Sequence, residues 1–266
     1  MCKFAFVSAK FALANPGPKS YHTCDVAGRI SENRQEVELD KTLQNSIPLT
    51  RIQKLIGERM LASKQTKPCF YLESKADVTE LMAMRHELKK STGVKITSNA
   101  FYIRAAARAV KEHPLMAGRF DNDHITIADA VNVGFAVNAP QGLVVPVIKN
   151  ADKKTLVQIA EEEKILTDKA RSNKLTLEDI KGETVALSNL GVYGIDSFFG
   201  IVPPPASTIL DVGNVIPTAV PLGGKPAVRK IVSLTLAVDH RVINGVYAAK
   251  FLKSIKEQLQ QPRQLV

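Results

Sequence analysis

The chain has 266 residues, 45% of them hydrophobic and 23% charged, enough for one sizeable core with or without a tail. No apolar run approaches the roughly 20 residues of a membrane span. Cys2, Cys24 and Cys69 form neither a CxxC pair nor a metal-ligand spacing, which argues for a reducing compartment and no metal site. The net charge of +10 is spread along the chain without a zinc-finger or aromatic–basic pattern, so it speaks against nucleic acid and suits an anionic ligand or an acidic protein partner.

Residues 1–46 differ in composition from the rest of the chain. "MCKFAFVSAKFALANPGPKS" is basic, with no acid before Asp25; Ala12-Leu13-Ala14 imitates a signal-peptidase site, but Lys10 interrupts the apolar run a leader needs. The expectation is a flexible tail or linker, with an organellar presequence as the alternative, and a folded domain over 47–266.

From Ile47 the periodicity becomes regular. "PLTRIQKLIGERMLASK" places Ile52, Leu55, Ile56 and Met60 on one helical face behind Thr50 as N-cap, and Pro68 ends the helix. "FYLESKADV" alternates, with Phe70, Leu72, Ala76 and Val78 facing one way, as a half-buried strand does. Asp77 and Glu80 have capping-box spacing and open the helix "VTELMAMRHELKK". "TSNAFYIRAAARAVKEH" predicts a long helix stopped at His113-Pro114. "HITIADAVNVGFAV" and "GLVVPVIKN" predict strands, the second apolar enough to be buried on both faces. An amphipathic helix comes next over 155–173 through Leu156, Ile159, Leu166 and Ala170. "ETVALSNLG", "ASTILDVGNV" and "RKIVSLTLAVDH" are strands, and 245–260 is a closing helix. Strands and helices mix without regular βαβ alternation, so the expected fold is α/β, a mixed sheet covered by helices.

Chemistry concentrates at the end of the last strand. Val232, Leu234, Leu236, Val238 and His240 share one face by the two-residue period. An imidazole emerging from such a row is expected to be desolvated and held as a neutral base, unless it is simply a core histidine satisfied by a backbone carbonyl. Asn244 stands directly before the closing helix and suits an N-cap.

"DHRVINGVYAAKFL" resembles the DHRxxDG signature of the catalytic domain of dihydrolipoamide acyltransferases, the E2 components of 2-oxoacid dehydrogenase complexes. "PLTRIQKLIGERMLASKQTKPCFYLESKADVTEL", "LVVPVIKNADKKTLVQIAEE" and "DIKGETVALSNLGVYGIDSFFGIVPPPASTILDVGNV" resemble the same family in order, over residues 47–266. The "SNLGVYGIDSF" form is most similar to the acetyl-transferring, pyruvate dehydrogenase branch. The resemblance implies a sandwich with a mixed sheet and covering helices, as in chloramphenicol acetyltransferase. It implies acetyl transfer between dihydrolipoamide and coenzyme A, with His240 as the base, Ser188 of "LSNLG" as the oxyanion donor and Asn244 as a positioning group. It also implies partners: copies of this chain as trimers within a 24- or 60-chain core, lipoyl domains, and the 2-oxoacid dehydrogenase and dihydrolipoamide dehydrogenase components. The compartment is then the bacterial cytoplasm, or alternatively the mitochondrial matrix.

Three positions qualify the resemblance. Asn244 stands where Asp is commoner in the family, which puts an ion-pair role there in doubt. Cys69 stands where relatives often carry His, and a buried small hydrophobe is the expectation. "TDKA" imitates a lipoylation site, but Lys169 falls inside a predicted amphipathic helix, whereas lipoyl lysines sit on exposed turns. No lipoyl domain precedes the core and 25–39 only faintly echoes a subunit-binding segment, so a fragment, a short form or a mis-started frame is expected. Arg51 and Arg59 are candidate anion anchors, with solvated helix charges as the alternative. "IVPPP" and "QQPRQLV" are candidate assembly contacts. Two other functions remain open: a structural core subunit without turnover, and a free-standing acetyl-CoA-dependent O-acetyltransferase acting on a small molecule.

Overall fold

Thr50 caps its helix as the sequence predicts: its side chain accepts from the Gln53 amide, and the Gln53 side chain reaches back to the Thr50 N–H. The computed structural model describes residues 46–266, with a compact unit over Pro48–Val266. The tail, leader and presequence readings, and Cys2 and Cys24, lie outside the described residues. In chain order the elements are α1 (Arg51–Thr66), β1 (Cys69–Asp77), α2 (Thr79–Thr92), α3 (Ser98–Glu112), β2 (Gly118–Asp121), β3 (His124–Ile127), β4 (Val133–Phe135), β5 (Val137–Ala139), β6 (Gly142–Val144) and β7 (Val147–Ile148). Next come α4 (Leu156–Arg171), β8 (Val185–Asn189), β9 (Thr208–Leu222), β10 (Lys225–Asp239) and α5 (Gly245–Gln260).

Six strands form one mixed sheet in the order β1-β10-β9-β8-β4-β7. β10 runs antiparallel to both β1 and β9, whereas β8 is parallel to β9 and to β4. The register aligns Phe135, Leu187, Leu210, Leu236 and Leu72 in one transverse row. This row belongs to the large core shared with the buried faces of α3 and α5. Ala186, Ile209 and Ala237 line up on the opposite face and pack with Val202 and Cys69, so the loop through 198–206 covers that side. α1 is tied to this loop by the Ser63 hydroxyl, which donates to the Val202 carbonyl. The result is a sheet sandwiched between helices and a loop.

Most predicted elements are present, and the departures have local causes. "HITIADAVNVGFAV" is not one strand: β3 is exposed along its length and pairs only with β2, while β4 enters the main sheet and β5 turns away to β6. "GLVVPVIKN" is likewise not one buried strand. Pro146, which has no N–H for a ladder, separates β6 from β7, and Leu143 is 54% exposed. The capping box at Asp77 and Glu80 does not form; Asp77 instead accepts from the Thr79 amide and hydroxyl and from Arg229 Nε at 2.6 Å, so α2 starts behind Val78 without a side-chain cap. Of the predicted apolar face of α1, Ile56 and Met60 are half-buried but Leu55 is 51% exposed.

The last hairpin is longer than the apolar pattern suggested. β9 and β10 each run 15 residues, through Pro217, Pro221 and Pro226, and turn at Gly223 and Gly224, whose φ values of 57° and 79° lie in the left-handed region. The C-terminal Pro262 and Leu265 are buried in a 3-10 turn of their own chain, and Val202 of "IVPPP" is buried against the sheet.

Candidate active site

β10 stops at Asp239, opposite Cys69, and His240 is the first residue beyond it. The His240 N–H donates to the Pro68 carbonyl at 3.0 Å, which holds the backbone against the neighbouring strand after the ladder ends. The imidazole itself is exposed in the single chain, contrary to the expectation of a desolvated ring. The apolar row stops at Val238, and the turn after Asp239 swings the next side chain clear of the sheet. The ring rests on Phe70, with centroids 4.6 Å apart and planes inclined by 49°. Among the described residues nothing hydrogen-bonds either ring nitrogen, so both remain open to a ligand.

Asp239 organises the turn that presents the histidine. Fully buried, its carboxylate accepts from Arg241 Nε at 3.0 Å, Nη2 at 2.7 Å and the Arg241 amide at 3.1 Å. Its carbonyl accepts from the Val242 and Ile243 amides. The Arg241 guanidinium lies 4.4 Å from the Phe120 ring centroid. Lys67 Nζ stands 3.9 Å from the same carboxylate and donates to the Ala206 carbonyl; burial pushes its pKa down, and Asp239 pulls the other way. The outer residues of Asp-His-Arg thus form a bidentate clamp, buried at its carboxylate and open to solvent at its guanidinium, around the one that points outward.

Asp239→Ala is expected to cost about 3 kcal/mol, because it leaves the largely buried Lys67 ammonium without its counter-charge, whereas the exposed Arg241 guanidinium turns to water. A urea unfolding curve checks this as a lowered midpoint at unchanged slope.

Asn244 stands next as the N-cap of α5, its Oδ1 accepting from the Tyr247 amide at 2.9 Å. Arg241 is already engaged by Asp239, so position 244 has no charge to neutralise there, and an uncharged cap suffices.

Ser188 lies elsewhere in the sheet. It is half-buried on β8, level with Asp211 on β9 and Thr235 on β10, and its hydroxyl has no partner among the described residues. His240 is therefore two strands across and five residues further along. At about 4.8 Å per strand and about 3.3 Å per residue, the two are on the order of 19 Å apart within one chain. The single chain brings His240 and Asn244 together; Ser188 it does not.

The remaining candidates are engaged within the fold. Lys169 sits in α4 with its Nζ 3.1 Å from Asp179 Oδ1. Arg59 donates to Glu183 Oε1 at 3.3 Å and to the Pro204 carbonyl, whereas Arg51 is exposed. Cys69 is half-buried, and burial pushes its thiol pKa up. Sequence reasoning missed Asp239, Arg241, Lys67 and Phe70. The first two were visible as charges flanking the histidine, and Phe70 as an inward position of β1; nothing local marked Lys67.

Residues 41–266 match the family model described as the 2-oxoacid dehydrogenases acyltransferase catalytic domain. The chain belongs to that family. It is 38% identical over 237 residues to the dihydrolipoyllysine-residue acetyltransferase component of pyruvate dehydrogenase complex from Rickettsia bellii, an alignment covering 88% of this chain and 55% of that protein. The acyltransferase chain thus spans about half the length of the curated relatives it first matches. Among solved structures, the dihydrolipoamide acetyltransferase of Azotobacter vinelandii, investigated for the role of a serine, a histidine and an asparagine in its catalytic mechanism, is 34% identical. It superposes with a TM-score of 0.79 over 83% of this chain and 93% of that one. The cubic core of the pyruvate dehydrogenase multienzyme complex is 35% identical, with a TM-score of 0.79 over 83% and 93%.

Proposed function

We propose that this acyltransferase domain moves an acetyl group between dihydrolipoamide and coenzyme A, as the catalytic core of a pyruvate dehydrogenase-type complex. His240 takes the thiol proton as the sulfur attacks the thioester carbonyl. The carbonyl oxygen gains charge as the tetrahedral intermediate forms, and the Ser188 hydroxyl donates to it. Collapse expels the second thiolate, which recovers the proton from the imidazolium. Asn244 fixes the start of α5 behind the histidine.

The observation that carries this reading is the spacing of three residue types. The serine, histidine and asparagine of the Azotobacter enzyme stand the same distances apart in sequence as Ser188, His240 and Asn244 do here. The open valences support it as well: neither the His240 ring nor the Ser188 hydroxyl has a partner within the described residues, as groups reserved for substrate require. A core that served only as scaffold would have no use for them.

Because the two groups stand so far apart within a chain, the working site pairs His240 of one copy with Ser188 of another. A closed trimer supplies that pairing, and such trimers build a larger core served by lipoyl domains and by the dehydrogenase components. The compartment is the bacterial cytoplasm, with the mitochondrial matrix the alternative.

The test is transfer from acetyl-CoA to free dihydrolipoamide, followed by subunit mixing. His240→Ala and Ser188→Ala chains, each nearly inactive, are dissociated and reassembled together. Random pairing in a cyclic trimer restores an intact histidine facing an intact serine at about one site in four. Recovery of roughly that fraction of wild-type activity is expected. A mixture as dead as its parents would place both groups in one chain.

A further inference from the structure

Asp211 is a carboxyl group that the reaction above leaves unused, at a place where an idle acid is costly. It is 1% exposed in the middle of β9, directly level with Ser188 on β8 and Thr235 on β10. Residues level with one another in a sheet project to the same face, so Ser188, Asp211, Thr235 and, on β1, Glu73 form one polar row. Asp211 Oδ2 accepts from the Gly200 amide at 2.7 Å, while Oδ1 is buried with no hydrogen-bond partner. The covering loop is shaped to this group: a Cβ on Gly200 would come within 2.6 Å of Oδ1. The Thr235 hydroxyl donates to the Phe198 carbonyl and also interacts with Asp211 from the other side, whereas the Ser188 hydroxyl is the neighbour in the row with no partner of its own among the described residues.

We infer that Asp211 is a positioning residue for Ser188: its unpartnered Oδ1, level with the serine on the next strand, is placed to hydrogen-bond to the serine oxygen once the two side chains turn toward each other, so that the serine proton is directed at the substrate. The inference rests on the acetyl-transfer reading for the serine's role. Its logic is one of polarity. A neutral carboxyl donates its O–H to Ser188 Oγ, leaving the serine's own proton as the donor for the developing oxyanion; a carboxylate would accept that proton and turn it away. Burial, opposed by the Gly200 N–H and the Thr235 hydroxyl, pushes the Asp211 pKa up to about 7, so the donating form is populated near neutrality.

A double-mutant cycle tests this. Asp211→Ala should lower kcat about tenfold at nearly unchanged KM, the size of one hydrogen bond. Asp211→Asn, whose amide still donates, should recover most of that loss. In a Ser188→Ala background, Asp211→Ala should cost almost nothing further. The same loss in both backgrounds, or none in the wild type, overturns the inference.

Infrared difference spectroscopy reads the contact without turnover. The protonated-carboxyl C=O band, assigned by its disappearance in Asp211→Asn, should shift in Ser188→Ala. An absent or unshifted band overturns the contact. If the wild-type chain transfers no acetyl group, the function proposed above falls, and the infrared result alone decides this contact.

Discussion

His240→Ala is expected to lower kcat for acetyl transfer about 100- to 10,000-fold, the usual contribution of a positioned general base. No neighbour can substitute for it. The charged groups on either side of it in sequence, Asp239 and Arg241, are locked to each other at 2.7 Å, and the carboxylate is fully buried. The residual reaction must draw on thiolate formed by solvent. With a thiol pKa of about 8.5, that thiolate rises about tenfold per pH unit below the pKa. The variant's rate should therefore climb steeply with pH up to that point. The fold should be little affected, because the residue is exposed and its ring makes no hydrogen bond among the described residues, resting on Phe70. Steady-state kinetics at several pH values, with a thermal melt as control, checks both halves. Retention of wild-type kcat at neutral pH would remove His240 from the chemistry.

Ser188→Ala is the second large effect, expected at about 100- to 1,000-fold in kcat with KM little changed. The split between the two constants is the informative part. The hydroxyl donates to an oxygen that carries full charge only as the intermediate forms, so its loss should be felt in the transition state and barely in binding. A variant with raised KM and normal kcat would make Ser188 a binding group instead. Stability should fall by no more than about 1 kcal/mol, the size of the single hydrogen bond to Asp211 inferred above.

The fold was legible wherever burial imposes a period. The apolar positions of α4 and α5, Leu156, Ile159, Leu166 and Ala170 in one and Ala248, Phe251, Leu252, Ile255 and Leu259 in the other, are all buried as their spacing predicts. Periodicity fails where proline or pairing decides. Pro146 splits an unbroken apolar run, and three prolines did not stop β9 and β10 from continuing as a long hairpin closed by two glycines. The candidate site residues were named through family resemblance, but their surroundings were not legible in the sequence. Strand alternation carried past the last ladder residue predicted a buried His240, whereas a chain leaving a sheet is no longer bound by that alternation. The part played by Asp211 was hidden too, because only the register across two strands reveals which side chains stand level with Ser188.

The offset between Ser188 and His240 along the sheet has a physiological corollary. A newly made subunit, on this arrangement, carries halves of two reaction centres and no whole one. If the proposed pairing of His240 and Ser188 between copies holds, it would not drain thioesters from the surrounding pool before finding its companions, and no separate inhibitor would be required to keep it silent. On that pairing, assembly itself would be the act of switching on.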